Sequence, residues 1–168
     1  YCVTQCPFGA IHIGKKAVVD KSICYGCSAC LQVCPEQAIS FNWERDVPRF
    51  LERMAEYALG AVAGKSGKVL YVSFLTNITP DCDCVPWSDS PIVPDIGFLA
   101  SDDPVAIDAA AIDLINNEHG LECSSLHCHH QPGENKFKGV WEQVEGYHQI
   151  DYGHEIGLGS RNYTLIEI

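Results

Sequence analysis

Apolar residues that recur every three or four positions predict two helices. The first covers 46–64, with Asp46 as its N-cap and Gly64 as its stop. Its apolar stripe comprises Val47, Phe50, Leu51, Met54, Ala58 and Leu59. The second covers 103–116 and has Pro104 in its first turn, where proline is well tolerated. Its apolar stripe comprises Ile107, Ala110, Ala111, Leu114 and Ile115.

Short apolar runs predict the strands. Residues 69–75 are rich in β-branched and aromatic side chains and are expected to form a buried strand, followed by a shorter strand at 96–100. We expect an irregular stretch at 119–137, partial helix at 141–156 and a terminal strand at 163–168. Strands that alternate with helices indicate a layered α/β arrangement.

Composition and charge narrow the classes of protein. The 168 residues are 46% hydrophobic and 20% charged, which is ordinary for a folded protein. Residues 1–41 carry a net charge of +1, and the rest of the chain carries −12. Such an acidic surface repels phosphate backbones, so no nucleic-acid partner is expected. No apolar run approaches the roughly 18 residues of a membrane helix, so no membrane span is expected.

The ten cysteines require either disulfides or metal to explain them. Cys24, Cys27, Cys30 and Cys34 follow the pattern C-x2-C-x2-C-x3-C, and a proline comes next. This spacing is typical of bacterial ferredoxins, in which three thiolates bind one iron–sulfur cluster and the fourth binds another. The alternative is a zinc site, but zinc usually takes two separated C-x2-C pairs. The motif therefore predicts a 4Fe-4S cluster.

An internal repeat of 28 residues extends this motif toward the start of the chain. Cys2 aligns with Cys30, Cys6 aligns with Cys34, and a proline follows the second cysteine of each pair. The two cysteines that would complete the earlier copy fall before residue 1. Since the chain does not begin with Met, we expect it to be a piece of a longer protein or a processed product. The repeat thus predicts a duplicated ferredoxin module that lacks its N-terminal part.

The module resembles two-cluster bacterial ferredoxins, and this resemblance implies a crossed set of ligands. The complete 4Fe-4S site would comprise Cys6, Cys24, Cys27 and Cys30. A second, partial 4Fe-4S site would comprise Cys2, Cys34 and two upstream cysteines. Alternatively, the protein holds one cluster, and Cys2 and Cys34 are spare thiols. Short strands are expected after the two ligand loops, at 10–13 and 38–41.

The character of the sequence changes near residue 42, so we expect two domains in an α+β fold. Residues 1–41 would be the small two-cluster ferredoxin-like module, truncated at its N-terminus. Residues 42–168 would form the acidic α/β domain. At this size the second domain could form its own apolar core. If its sheet is incomplete, the missing N-terminal part of the protein would complete it.

A further group of cysteines and histidines lies in the acidic part. Cys82 and Cys84 form a C-x-C pair in a loop, and Cys123, His127, Cys128, His129 and His130 come later. A third metal centre holding zinc or iron at Cys82 and Cys84 is one interpretation, with Cys123, Cys128 or His127 as further ligands. The other interpretation is that these cysteines are reduced thiols that bind no metal and that the histidines are a solvated run. The many aspartates favour a solvated face or a docking face for a basic partner over a site for hard cations.

Three segments of the acidic part resemble the domain of unknown function 362 family. They are 53–60 (RMAEYALG), 78–84 (ITPDCDC) and 93–108 (VPDIGFLASDDPVAID), and the IGLG at 156–159 matches as well. In that family a ferredoxin module is often embedded between two parts of the family domain. The resemblance therefore implies that this chain is the module plus the C-terminal part. It supplies iron–sulfur binding and an architecture, but no substrate.

Ferredoxin-type electron transfer with a redox partner protein is the leading hypothesis, and an iron–sulfur protein is expected in the cytoplasm. A reductive enzyme is the first alternative, in which a metal or reactive thiol at Cys82 and Cys84 receives electrons from the cluster. A non-catalytic structural or oxygen-sensing protein is the second. The catalytic residues, and whether the chain is an oxidoreductase at all, stay open.

Overall fold

The computed structural model describes residues 1–40, 43–82 and 89–168, and for 43–46 it describes the backbone alone. Contacts between residues divide the chain into two units, Tyr1–Trp43 and Glu44–Ile168. Helices and small antiparallel sheets make up an α+β fold, as predicted. Within these residues, none of the helices is both long enough and apolar enough to span a bilayer.

Over residues 1–40, the first unit contains two short helices and one β-hairpin. Helix α1 covers Cys2–Gln5, strands β1 and β2 cover Ile11–Ile13 and Ala17–Val19, and helix α2 covers Ala29–Gln32. The strands are antiparallel, with Ile11 opposite Val19. The strand predicted at 10–13 is thus confirmed as β1, whereas its partner β2 was not foreseen.

No strand forms at 38–40, and residue 41, the last of the strand predicted there, lies outside the described residues. An extended segment becomes a strand only when a neighbour satisfies its N–H and C=O groups. The described residues provide β1 with such a neighbour in β2, but they provide none for 38–40.

In its described residues, the second unit has four helices and a two-stranded sheet. Its helices are α3 (Trp43–Val62), α4 (Pro104–Asn117), α5 (Lys136–Val140) and α6 (Gly146–Glu155), and its strands are β3 (Tyr71–Leu75) and β4 (Gly97–Ser101). The predicted helix 103–116 is confirmed as α4, and the partial helix within 141–156 is confirmed as α6. Helix α5 overlaps the end of the stretch predicted to be irregular.

Helix α3 begins three residues earlier than predicted, so Asp46 lies inside it and is not its N-cap. The residues before Asp46 are all compatible with a helix, and Pro48 removes only one backbone hydrogen bond there. The predicted stop is correct, because α3 ends at Val62 and Gly64 has a φ of 72°. A left-handed backbone of this kind is what glycine provides after a helix.

The β3–β4 sheet is antiparallel, with Tyr71 opposite Ser101 and Leu75 opposite Gly97. The predicted burial of the first strand is wrong, because its side chains alternate between the two faces of the sheet. Leu75 is buried, whereas Phe74 is 68% exposed and meets the equally exposed Phe98 edge to face. The terminal strand predicted at 163–168 is also wrong: this segment has no regular secondary structure and no partner strand among the described residues, and Ile166 is 77% exposed.

Helix α4 is the centre of the second unit, and its start is well defined. Asp103 caps it, since one carboxylate oxygen accepts hydrogen bonds from the N–H groups of Val105 and Ala106, both at 2.9 Å. The other oxygen accepts the N–H of Ser160 at 2.7 Å, which ties the C-terminal segment to the helix.

Two apolar clusters pack around α4 and the sheet. The larger cluster comprises Leu75, Ile92, Val93, Ile115 and Leu126. The smaller cluster comprises Val105, Ala109 and Ile150. Ile107, Ala110 and Ile115 of the predicted stripe are buried as expected, while Val105 and Ala109 bury a second side of the helix.

Candidate metal centre

The loop that carries the cysteine motif curls because of two left-handed residues. Gly26 has a φ of 72° and Ser28 a φ of 62°, one on each side of Cys27. Cys24 precedes this curl, and its N–H donates to the carbonyl oxygen of Asp20 at 2.9 Å. The backbone of the motif is therefore tightly curled. Such a curl is needed if several nearby cysteines are to direct their thiols to one side.

Cys24, Cys27 and Cys30 lie near one another. The pKa of the Cys30 thiol is raised, first by its burial and then by the charges of Cys24 and Cys27. Thiolates repel one another in this way only at short range, and a positively charged metal core reverses the effect. That these three residues bind one cluster stays a prediction.

Cys6 has a different environment, which favours its thiolate. The N–H of Ala10 donates to the Cys6 sulfur at 3.2 Å, and the pKa of Cys6 is lowered chiefly by this hydrogen bond and then by the N–H of Phe8. The turn 6–10 wraps backbone donors around one sulfur atom. Such hydrogen bonds stabilise a negatively charged ligand before any metal binds.

A pair of aromatic rings joins the turn of Cys6 to the motif loop. Phe8 lies two residues after Cys6, Tyr25 follows Cys24 directly, and their ring centroids are 4.4 Å apart. The rings are tilted by 31°, within the range of favourable aromatic pairs. Sequence reasoning missed this contact, since nothing in the spacing of two distant aromatic residues indicates that they meet.

The 28-residue repeat is present in the geometry as well as in the sequence. The N–H of Ala38 donates to the Cys34 sulfur at 3.4 Å, as that of Ala10 does to the Cys6 sulfur. Each of these cysteines also accepts, at its carbonyl oxygen, the N–H of the residue three positions later, Gly9 or Gln37. Both acceptor turns end in a left-handed residue, with φ values of 64° for Gly9 and 48° for Gln37.

These residues have the donor chemistry that an iron–sulfur cluster needs, namely thiolates with N–H groups directed at sulfur. Within the described ranges, no three Cys, His, Asp or Glu side chains lie close enough to hold a single metal ion. The four thiolates of a 4Fe-4S cluster bind four different iron atoms, so they stand farther apart than the ligands of one ion. Cys2 begins α1, Cys34 follows α2, and both are half-buried.

Comparison with known protein families assigns the chain to one of them. The model of the domain of unknown function family DUF362 matches residues 4–113, which is more than half of the sequence. The chain belongs to the DUF362 family. The resemblance noted in the sequence is thereby confirmed.

Two curated proteins are similar to parts of this DUF362 chain. One is the iron–sulfur subunit of the arsenate respiratory reductase of Shewanella sp. (strain ANA-3), 42% identical over 43 residues, which are 24% of this chain and 18% of the relative. The other is a ferredoxin of Alicyclobacillus acidocaldarius subsp. acidocaldarius, 46% identical over 39 residues, which are 23% of this chain and 50% of the relative. The chain thus spans half or less of these relatives. No solved structure matches it significantly.

The second candidate site of the DUF362 chain lies partly outside the described residues, because Cys84 falls there. Cys82 is exposed and lines a pocket of about 270 Å³. Thr79, Pro80 and Asp81 flank it on one side, and Phe137, Val140, Trp141 and Val144 form the other. The indole N–H of Trp141 donates to Asp81 at 3.2 Å and connects the two sides.

The later cysteines and histidines do not form a group of three metal ligands with other described residues. Cys123, His127 and Cys128 are exposed. His129 uses its Nδ1 to hydrogen-bond the carbonyl oxygen of Asn135 at 2.8 Å. Within the described residues, His130 Nδ1 is buried without a hydrogen-bond partner. A metal bound by Cys82 and Cys84 stays a prediction.

Proposed function

We propose that this protein is a ferredoxin-type electron-transfer protein whose complete 4Fe-4S cluster is held by Cys6, Cys24, Cys27 and Cys30. The observation that carries the proposal is the contact between Phe8 and Tyr25, which sets the turn of Cys6 against the loop of the other three cysteines. The charge coupling of Cys30 to Cys24 and Cys27 supports the same grouping.

The residues around the sulfur atoms have distinct roles in this proposal. A 4Fe-4S cluster accepts and donates one electron at a time. Ala10 and Phe8 direct N–H groups at Cys6 and stabilise the additional negative charge of the reduced state. Cys27 is exposed, so a partner that docks on this side would approach the cluster closely.

The relatives support a role among redox proteins. One is named as the iron–sulfur subunit of a reductase and the other as a ferredoxin. We infer that this protein, too, exchanges electrons with a partner protein. Within the described residues, none of the nine cysteines is in a disulfide, in keeping with the reducing cytoplasm as its location.

Cys2 and Cys34 would contribute to a second cluster with ligands from upstream. The repeat supports this, since Cys34 has the same N–H···S hydrogen bond as Cys6. In the alternative, only one cluster forms and these two thiols are spare.

Single cysteine variants test the crossed ligand set. In protein purified without air, we expect about four iron and four sulfide for each complete cluster. Cys6→Ala should remove the complete cluster, whereas Cys2→Ala, its neighbour on the same short helix and turn, should leave it in place. Electron paramagnetic resonance after reduction with dithionite, together with iron and sulfide analysis, measures this.

The same experiment separates the alternatives. If Cys34→Ala destroys the complete cluster and Cys6→Ala does not, the ligands are the four cysteines of the motif itself, and the crossed set is wrong. Zinc without sulfide would exclude the ferredoxin function. A cluster that is present but cannot be reduced reversibly would favour a structural or oxygen-sensing role.

A reductive enzyme is the second candidate, and the pocket beside Cys82 favours it. Apolar walls with a few polar groups are typical of small-molecule sites, and here Asp81, Thr79 and the thiol supply the polar groups. If Cys82→Ala removes a metal or abolishes consumption of electrons from the reduced cluster, this function is supported. If the variant changes neither, the pocket has no part in the redox chemistry.

A further inference from the structure

A second pocket, of about 320 Å³, lies at the last turn of α4. Asp113, Asn116 and Asn117 line it from that turn, Tyr147 lines it from α6, and Tyr163 closes it from the C-terminal segment. Neither the cysteine motif nor the pocket beside Cys82 includes any of these residues.

Asp113 is the central group of this pocket. One of its carboxylate oxygens accepts the hydroxyl of Tyr147 at 2.9 Å, and the other accepts the hydroxyl of Tyr163 at 2.8 Å. The side-chain amide of Asn116 donates to the Tyr147 oxygen at 3.1 Å. Both phenolic hydrogens are therefore used, whereas the carboxylate and the Tyr163 oxygen keep lone pairs that can accept more.

The protonation of the two tyrosines reinforces this arrangement. Burial, followed by the hydrogen bond to Asp113, raises the pKa of Tyr163 to about 12. The pKa of Tyr147 is raised by the same two causes, again with burial first. Both hydroxyls thus remain protonated at neutral pH, and they donate to Asp113.

Asp113 is the one charged side chain among the described residues that line the pocket. The pocket lies at the C-terminal end of a 14-residue helix that has no basic residue in its last turn, so the helix dipole adds to the charge of Asp113. Two cations that lie near the pocket, Lys136 and Arg161, have other partners. The ammonium of Lys136 is buried and donates to the carbonyl oxygens of Asn116, Gln131 and Glu134. Arg161 lies over the Tyr147 ring and pairs with Asp151.

We propose that this pocket binds the primary ammonium group of a small organic amine. An ammonium brings three N–H donors and a positive charge, which match the free lone pairs and the charge of Asp113. The tyrosine rings would contact the methylene groups next to the nitrogen. The proposal does not depend on the cluster or on electron transfer.

The test is a titration of the intact protein with n-butylammonium, with n-butanol as the uncharged probe of equal chain length. Nuclear magnetic resonance shifts of the backbone amides of 113–117 report binding. We expect saturable shifts with n-butylammonium and an affinity for n-butanol that is weaker by about tenfold or more.

Two variants of the pocket sharpen the result. Asn117 is exposed, and its side chain makes no hydrogen bond within the described residues, so Asn117→Lys places a competing ammonium at the pocket without disturbing the fold. It should weaken n-butylammonium binding about tenfold, as should Asp113→Asn if that variant stays folded. Glu122→Gln removes an exposed carboxylate outside the pocket and should leave the affinity unchanged.

Equal affinity for the amine and the alcohol would overturn the proposal. So would an unchanged affinity in Asn117→Lys, a variant that decides the question even if Asp113→Asn unfolds. Neither outcome bears on the iron content of the protein, so a failure here is distinct from a failure of the proposed electron transfer.

Discussion

The two units of this protein differ in what stabilises them. In Tyr1–Trp43 the buried apolar side chains among the described residues are Ala10 and Ile11, while Ile13 and Val18 are largely exposed. In Glu44–Ile168 two apolar clusters pack around one long helix. Burial can offset the entropy of ordering the chain in the second unit but not in the first. Since the first unit has six cysteines and two buried apolar side chains among its described residues, we expect metal ligands to hold its fold together.

Removal of one cluster ligand tests this difference between the units most strongly, and we expect it to have the largest effect on the structure of the first unit. Cys27→Ala should remove the complete cluster and with it the order of the first unit, because ligand binding there replaces a hydrophobic core. Amide hydrogen exchange should show protection lost at β1 and β2 and retained at α4.

Cys123→Ala is the matched control, since it removes an exposed cysteine from the second unit. It should change neither the iron content nor the exchange of β1. Persistent protection of β1 in iron-free Cys27→Ala would mean that the first unit folds without metal, and the contrast between the units would fail.

The complementary change removes a core side chain from the second unit. Leu126 is 3% exposed and belongs to the larger cluster, so Leu126→Ala should lower the free energy of unfolding of that unit by about 3 kcal/mol. Iron and sulfide per chain should not change. Urea unfolding followed by far-ultraviolet circular dichroism measures the stability.

Leu70→Ala deletes the same side chain from a position that is 69% exposed, and it should cost no more than about 0.5 kcal/mol. If both leucine variants are equally stable, the stability of the second unit does not depend on the apolar cluster that contains Leu126. The conclusion that an apolar core stabilises this unit would then be wrong.

What the sequence could predict follows from how local each signal is. The cap Asp103, the adjacent Pro104 and an apolar stripe specify α4 within a few turns, and α4 is as predicted. The cysteine motif likewise lies within 11 residues, and the repeat reproduces its hydrogen bonds.

Features that depend on a distant partner were missed or wrong. Among the described residues the strand expected at 163–168 has no neighbouring strand, and β2 was not predicted because Ala17–Val19 is too short to give a pattern. The contact of Phe8 with Tyr25 joins segments 17 residues apart, and the tyrosines on Asp113 come from two further elements. The spacing of residues along the chain carries no information about such long-range contacts, because they depend on tertiary packing.

The smallest expected effect concerns the pH dependence of the second unit, in which Tyr163 hydrogen-bonds Asp113. Burial and this carboxylate raise the pKa of Tyr163 to about 12, whereas an unfolded tyrosine ionises near pH 10. Below pH 10 the stabilising effect of the protonated hydroxyl is complete. Between about pH 10 and 12 the unfolded chain releases the proton first, so the stability of the folded state falls as the pH rises.

Tyr163→Phe should therefore reduce the loss of stability between pH 10 and 12, at the cost of about 1 kcal/mol near pH 7 for the missing hydrogen bond. Urea unfolding at a series of pH values measures both effects. Tyr57→Phe is the control, because that ring is 69% exposed, and the variant should keep the pH dependence of the parent protein. If the unfolding free energy of Tyr163→Phe falls between pH 10 and 12 as steeply as that of the parent protein, the Tyr163 hydroxyl does not couple ionisation to folding. Any loss of stability of the second unit at high pH would then come from other groups.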